Sequence, residues 1–191
     1  GRRPVLVVGG LVSVLACSAY VFVRELGPYV YVVRVVHGIS EAMLFASLFA
    51  FAADIVPAAR RIEGIGLFGV SGMLPMALAG ALGDAILGWS GYDALFLTAA
   101  GCSVVALLLS LPLAEPVREP GEPPRGLVTA LVERALLPLW IGGLCFAMAL
   151  AAHFNFLKTF LAVRPIASLG DFFATYAIAA CVLRILFGSV P

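Results

Sequence analysis

Residues 94–113 read ALFLTAAGCSVVALLLSLPL, twenty positions without a charged side chain. About 20 mostly apolar residues, wound as an α-helix at about 1.5 Å per residue, cross the hydrocarbon core of a bilayer, about 30 Å thick. Membrane β-strands alternate polarity over about ten residues. The unbroken apolar runs from Val104 to Leu109 and from Ala147 to Ala152 do not alternate. The stretch therefore reads as a transmembrane helix.

The rest of the chain repeats this pattern. Its 191 residues are 62% hydrophobic and 12% charged, with a mean hydropathy of +1.08. A soluble domain carries about 25% charged residues, so half that amount leaves a water-exposed surface uncovered. A soluble enzyme is excluded on this ground. A net charge of +1 offers no basic face to a phosphate backbone, so no nucleic-acid partner is expected. The charged residues gather at 2–3, 24–25, 60–63, 115–134 and 158–171. Between them the sequence predicts six spans, at about 4–24, 28–53, 64–88, 93–113, 136–157 and 171–190. The expected fold class is all-α: a polytopic membrane protein of six transmembrane helices. Cys17, Cys102, Cys145 and Cys181 fall in four different spans without metal-binding spacing. They read as small packing residues, and neither metal nor cofactor is expected.

Alternating spans sort the loops into two sets. Arg2, Arg3, Arg60, Arg61, Arg118, Arg125 and Arg134 fall on one side; Arg24, Lys158 and Arg164 fall on the other. The basic-rich side is cytoplasmic by the positive-inside rule, and Tyr29, Tyr31, Trp89 and Tyr92 then lie near the outer interface. The expected location is the plasma (inner) membrane. The longest connection, 114–135, is cytoplasmic and opens AEPVREPGEPPRG, a semi-rigid Pro-rich linker. It divides residues 1–113, four helices, from residues 136–191, two helices. Residues Leu127 to Leu137 read as a short amphipathic helix.

Four features carry a family resemblance. Gly1-Arg2-Arg3-Pro4 precedes an outward span. Gly188-Ser189-Val190-Pro191 follows an inward one. Arg34-Val35-Val36-His37-Gly38 lies in the second span, and the Pro-rich linker follows the fourth. The layout resembles the major facilitator superfamily of secondary transporters. The first two stretches are similar to the tail and head of its repeated Gly-x-x-x-Asp-Arg-x-Gly-Arg-Arg loop. The third is similar to an Arg-x-x-Gln-Gly motif with His in place of Gln. The resemblance implies two parallel six-helix bundles, of which this chain holds helices three to eight. Both ends are expected to be cut, making the chain a piece of a longer protein. The implied function is secondary active transport of a small organic solute by alternating access, proton-coupled, by a protein monomeric when full length.

Several residues are candidates for that work. Arg34, His37 and Glu41 stand at i, i+3 and i+7, on one helical face. A charge facing lipid at mid-membrane costs at least about 2.5–3.5 kcal/mol, so this stripe is expected to face protein or a wet cavity. His and a buried Glu can exchange a proton near neutral pH, and Arg34 is expected to hold Glu41 ionised. The resemblance adds a coupling role for Arg34. Asp54 ends the second span, where the helix dipole disfavours an anion, so Arg2 or Arg3 is expected beside it. By resemblance the three form a cytoplasmic gate. Gly69, Gly72, Gly80 and Gly83, with Pro75 among them, are expected to form a hinged helix-packing stripe. Asn155 and His153, among phenylalanines, are expected in a solute cavity. They point about 200° apart on a helix, and Asn155 is favoured. Arg184, near the cytoplasmic end of the last span, is expected to snorkel or to pair with the loop that would follow, rather than to take part in transport.

Two alternatives remain. Gly69-Val70-Ser71-Gly72 with His153 resembles the nucleophile motif of a six-span intramembrane serine protease. A channel or structural membrane subunit would instead line a pore with regular small or hydroxyl residues. Scattered single ionisable groups fit a carrier better, so an enzyme is not expected.

Overall fold

The structure is a computed structural model describing residues 1–115, 133–164, 166 and 168–187. The described chain is helical, with no strand among the described residues. Helix α1 is Arg2–Ala19 and continues as a 3-10 turn, Tyr20–Phe22. Helix α2 is Pro28–Ile55, with Pro28 in its first turn, where a missing N–H costs nothing. A second 3-10 turn, Ala58–Arg60, leads into α3, Arg61–Ser110. Helix α4 is Leu137–Val163 and α5 is Leu169–Phe187. The linker's prolines, Arg118 and Arg125, residues 127–132 of the expected amphipathic helix, and the Gly188 to Pro191 stretch lie outside the described residues.

Helix α3 runs through 50 residues, about 75 Å if straight, far more than one bilayer crossing. It is not straight. Gly91 has φ 74° and ψ −173°, a backbone conformation that a residue with a Cβ rarely adopts. A Cβ placed on Gly83 would lie 3.8 Å from the Leu95 side chain. Twelve residues apart on a straight helix, the two positions would be about 18 Å apart. The chain therefore doubles back at Gly91, between the spans expected at 64–88 and 93–113. Pro75 sits in helical backbone, and Gly91 is the non-helical residue inside α3.

Among the described residues, four stretches are long and apolar enough to cross a membrane: Arg2–Phe22, Pro28–Ile55, Leu78–Ser110 and Leu137–Val163. The segments expected to span at 64–88 and 171–190 are helical but are not among these four. The structure is that of a polytopic all-α membrane protein.

The chain divides into two compact units, Gly1–Pro116 with Phe173–Pro191, and Val117–Phe172. In the first, α1 is the central element, packed on α2 and on α3. Leu6, Ala16, Cys17, Val33, Phe51 and Ala100 form its buried core. Gly9 and Gly10 let these helices close in. A Cβ on Gly9 would meet the Met43 Cβ at 3.0 Å, and one on Gly10 would meet Leu107 Cδ1 at 3.0 Å. Large apolar side chains such as Leu15, Val35, Phe45 and Leu109 remain exposed, the surface that acyl chains cover. Two buried serines satisfy their hydroxyls on their own helix: Ser40 Oγ donates to His37 O and Ser110 Oγ to Leu107 O, both at 2.7 Å.

Gly9→Leu should destabilise the protein by about 1–3 kcal/mol, because a packed neighbour must be displaced. Gly101→Leu, at a position with nothing within 4 Å, should change stability by less than about 0.5 kcal/mol. Thermal unfolding of the two variants in one detergent compares them directly.

Candidate functional site

The connection 23–27 turns α2 back alongside α1, and α1 and α2 pack together. This brings His37 of α2 against the C-terminal end of α1. The His37 ring is largely covered, and Glu41, one turn on, is exposed. Nε2 of His37 lies 3.5 Å from Glu41 Oε1 and 3.7 Å from Cys17 Sγ. On the other side of the ring, Nδ1 lies 3.4 Å from the Tyr20 hydroxyl. The Tyr20 ring meets the imidazole edge-on at 5.6 Å and stacks on Phe96 of α3 at 5.1 Å. Ser103 of α3 extends the polar contacts: its oxygen is 3.8 Å from Cys17 Sγ and 3.2 Å from Ser13 Oγ. Ser103 donates its own hydrogen to Ala99 O at 3.0 Å, so toward Ser13 and Cys17 it accepts. Beyond Ser13 is a cavity of about 270 Å³, lined by Leu6, Gly10, Leu44, Ser103 and Ser110 among others.

The partner of Glu41 is thus His37. Arg34 is exposed and has no polar partner among the described residues, so the expected Arg34–Glu41 pairing is not formed. Tyr20, Cys17 and Ser103 were not expected here. Their trace in the sequence is Ser13, Cys17 and Tyr20 at i, i+4 and i+7, a polar stripe on one face of α1.

A second cluster sits at the basic-rich end. The Arg2 guanidinium contacts the carboxylate of Asp54 and the carbonyl of Ala50. Arg3 turns elsewhere, donating from Nη2 to Leu111 O at 2.7 Å. The backbone N–H groups of Arg2 and Arg3 both donate to the Glu115 carboxylate, the latter at 2.9 Å. Those two N–H groups, Arg2 first, hold the Glu115 carboxyl below its ordinary value, helped by the Arg2 charge. Glu115 counted only as linker charge in the sequence, because its partners are backbone atoms 112 and 113 residues away. At the opposite end of the helices Arg24 Nη1 lies 3.6 Å from Asp93 Oδ2, both exposed.

The glycine stripe of α3 is not one uniform contact. A Cβ on Gly69 would collide with the Arg184 guanidinium, whose Nη1 donates to Gly66 O at 3.2 Å. Gly83 faces Leu95, and Gly72 has nothing within 4 Å. Arg184 therefore lies on α3 rather than snorkelling free. Ser71 donates to Phe68 O at 2.6 Å within its own helix, which occupies the hydroxyl a serine protease would need for its base.

In the unit holding α4, a cavity of about 440 Å³ is lined by His153, Phe156, Leu157, Phe160, Ile166 and Phe172, with Ala152 and Leu161. The His153 ring lies 5.2 Å from that of Phe172. The polar side chain in this lining is His153; Asn155, which helix geometry favoured, is not part of it.

A family model described as Major Facilitator Superfamily matches residues 1–190. The chain belongs to the major facilitator superfamily. No curated protein and no solved structure matches it. Membership, with the apolar helices, makes this an integral membrane protein of solute transport. The superfamily fold therefore puts the His37 cluster in a transport protein, among helices α1, α2 and α3.

A carboxyl held below its ordinary value in the folded state adds stability above the unfolded carboxylate range and loses it as pH falls through the folded value. Glu115→Gln should therefore lower the unfolding midpoint at neutral pH. The difference from the parent protein should vanish in strong acid. A difference that persists unchanged at low pH would remove the charge from the explanation.

Proposed function

We propose that this superfamily member is a proton-coupled secondary transporter of a small organic solute, working by alternating access in the plasma (inner) membrane as a monomer. The observation that carries the reading is the His37 Nε2–Glu41 Oε1 pair at 3.5 Å. Two titratable groups side by side in an apolar span are a mark of function, and an imidazole and a carboxylate are the side chains that exchange protons most readily. Arg34, on the same face, supplies a fixed positive charge that solute or proton binding can work against.

In this reading Arg2 and Asp54, with Arg3 alongside, form the cytoplasmic gate. The contact ties the start of α1 to the end of α2, and a state open to the cytoplasm requires it to loosen. The linker at 114–135 is then cytoplasmic. The cavity with His153 among phenylalanines is the solute subsite contributed by α4. Its chemistry suits an apolar or aromatic body with one polar group, and Asn155 stands near it on α4. Gly69, Gly72, Pro75, Gly80 and Gly83 allow α3 to shift against its neighbours.

The test uses proteoliposomes carrying an internal pH dye, challenged with a panel of small organic acids, amines and aromatic compounds. A transported compound should move protons with it, and a protonophore should abolish its accumulation. Glu41→Gln and Arg34→Gln should each cut accumulation at least about tenfold, about 1.4 kcal/mol of coupling, with normal membrane insertion. Full coupled accumulation in both variants would remove this stripe from the mechanism.

A further inference from the structure

The cavity beside Ser13 lies among α1, α2 and the leg of α3 that follows Gly91. Leu6, Gly10 and Ser13 form its floor on α1, while the wall residues Leu48, Cys102 and Ala106 stay exposed. It is therefore a groove, open toward the surface that acyl chains cover. Its hydroxyls are spent: Ser110 donates to Leu107 O, Ser103 to Ala99 O, and Ser13 to the Ser103 oxygen at 3.2 Å. A buried water needs about two to four polar partners, and these serines keep no hydroxyl hydrogen for one. The volume of about 270 Å³ suits an apolar occupant.

Arg3 stands at the foot of this groove. With Leu6, Gly10 and Ser13 it makes an i, i+3, i+7, i+10 series on one face of α1. Its Nη2 donates to Leu111 O at 2.7 Å, next along the chain from the lining residue Ser110. No carboxylate among the described residues pairs with the Arg3 side chain, and one hydrogen bond leaves most of the guanidinium fork for another acceptor. The Glu115 carboxylate takes the backbone N–H groups of Arg2 and Arg3 instead. From Arg3 to Ser13 the helix rises about 15 Å, about half the hydrocarbon core of a bilayer, which is the depth of one leaflet.

We propose that the groove binds an anionic phospholipid from the leaflet at the basic-rich end, with one acyl chain over Gly10 and Ser13 and the phosphate on Arg3. An arginine fork holds two phosphate oxygens at once, and basic residues between helices at a membrane rim recognise such headgroups. The charge of Arg3 favours a headgroup that is net negative over a zwitterionic one. The open wall at Leu48, Cys102 and Ala106 leaves the second acyl chain in the bilayer, so a two-chain lipid fits. The inference stands apart from the transport reading: it uses neither His37 nor Glu41.

Photolabelling of the full chain in lipid nanodiscs tests this, with a phosphatidylglycerol probe that carries a diazirine midway along one acyl chain. Crosslinks should map to Leu48, Cys102 or Ala106. Unlabelled phosphatidylglycerol should compete, whereas phosphatidylcholine, oleate and inorganic phosphate should not. Arg3→Gln should cut labelling of the groove about fivefold, the worth of one arginine beside an anionic headgroup. Arg24→Gln, at the opposite end of the helices, should leave it unchanged. Ala106→Phe fills the groove from an exposed position and should abolish this labelling, with helicity by circular dichroism retained. Competition by phosphatidylcholine, oleate or inorganic phosphate as strong as by phosphatidylglycerol would overturn the proposal. So would undiminished labelling in a helical Arg3→Gln protein, or crosslinks spread evenly over the apolar surface of the parent protein.

Discussion

Water is missing from the core of a bilayer, and every polar group placed there must find its partner inside the protein. Helix formation satisfies the backbone, and the serines of α1, α2 and α3 satisfy most of their hydroxyls on helix carbonyls. What remains is a short list of side chains whose polar contacts go beyond their own helix carbonyls: Ser13, Cys17, Tyr20, His37, Glu41 and Ser103. They are gathered where α1, α2 and the returning leg of α3 meet.

Close approach of the helices makes the gathering possible. Gly9 and Gly10 remove side-chain bulk from α1 on the sides that meet Met43 and Leu107. Without a hydrophobic drive between helices already in lipid, such close packing supplies much of the association energy. It also sets the spacing at which a thiol on α1 and an imidazole on α2 come within 3.7 Å. The rim contacts of Arg2 with Asp54, and of the first backbone N–H groups with Glu115, tie the same helices at their other end. One end of α1 is therefore held by charges accessible to water and the other by a largely covered imidazole with a thiol and a phenol beside it. The two ends respond differently to pH and to salt, since exposed ion pairs are screened and buried contacts are not.

The sequence carried much of the fold. Runs such as 94–113 announce helices in lipid because nothing but length and apolarity is required. Charge placement located the loops, and the break near Trp89 to Tyr92 coincides with the turn at Gly91. Membership of the major facilitator superfamily was also legible, from short motifs placed at consistent ends of the spans. Less legible was the cluster. Arg34, His37 and Glu41 shared a face by arithmetic, so a common site was expected. The structure puts His37 beside Glu41 and leaves Arg34 outside, while Cys17 and Tyr20 meet the imidazole from the other side of the helix pair. Likewise His153 rather than Asn155 enters the α4 cavity, since rotation about the helix axis decides which residue faces Phe172.

By itself, then, the sequence determined that this chain lies in a membrane, where its longest apolar segments run and which residues within a helix share a face. All of these follow from periodicity and transfer energy, which are local properties. Tertiary structure alone decided that Cys17 meets His37, that Glu115 caps backbone atoms at the start of α1, and that Arg184 lies against Gly66 and Gly69. Those contacts depend on helix rotation, register and separation, and these are fixed by packing among residues far apart in the chain.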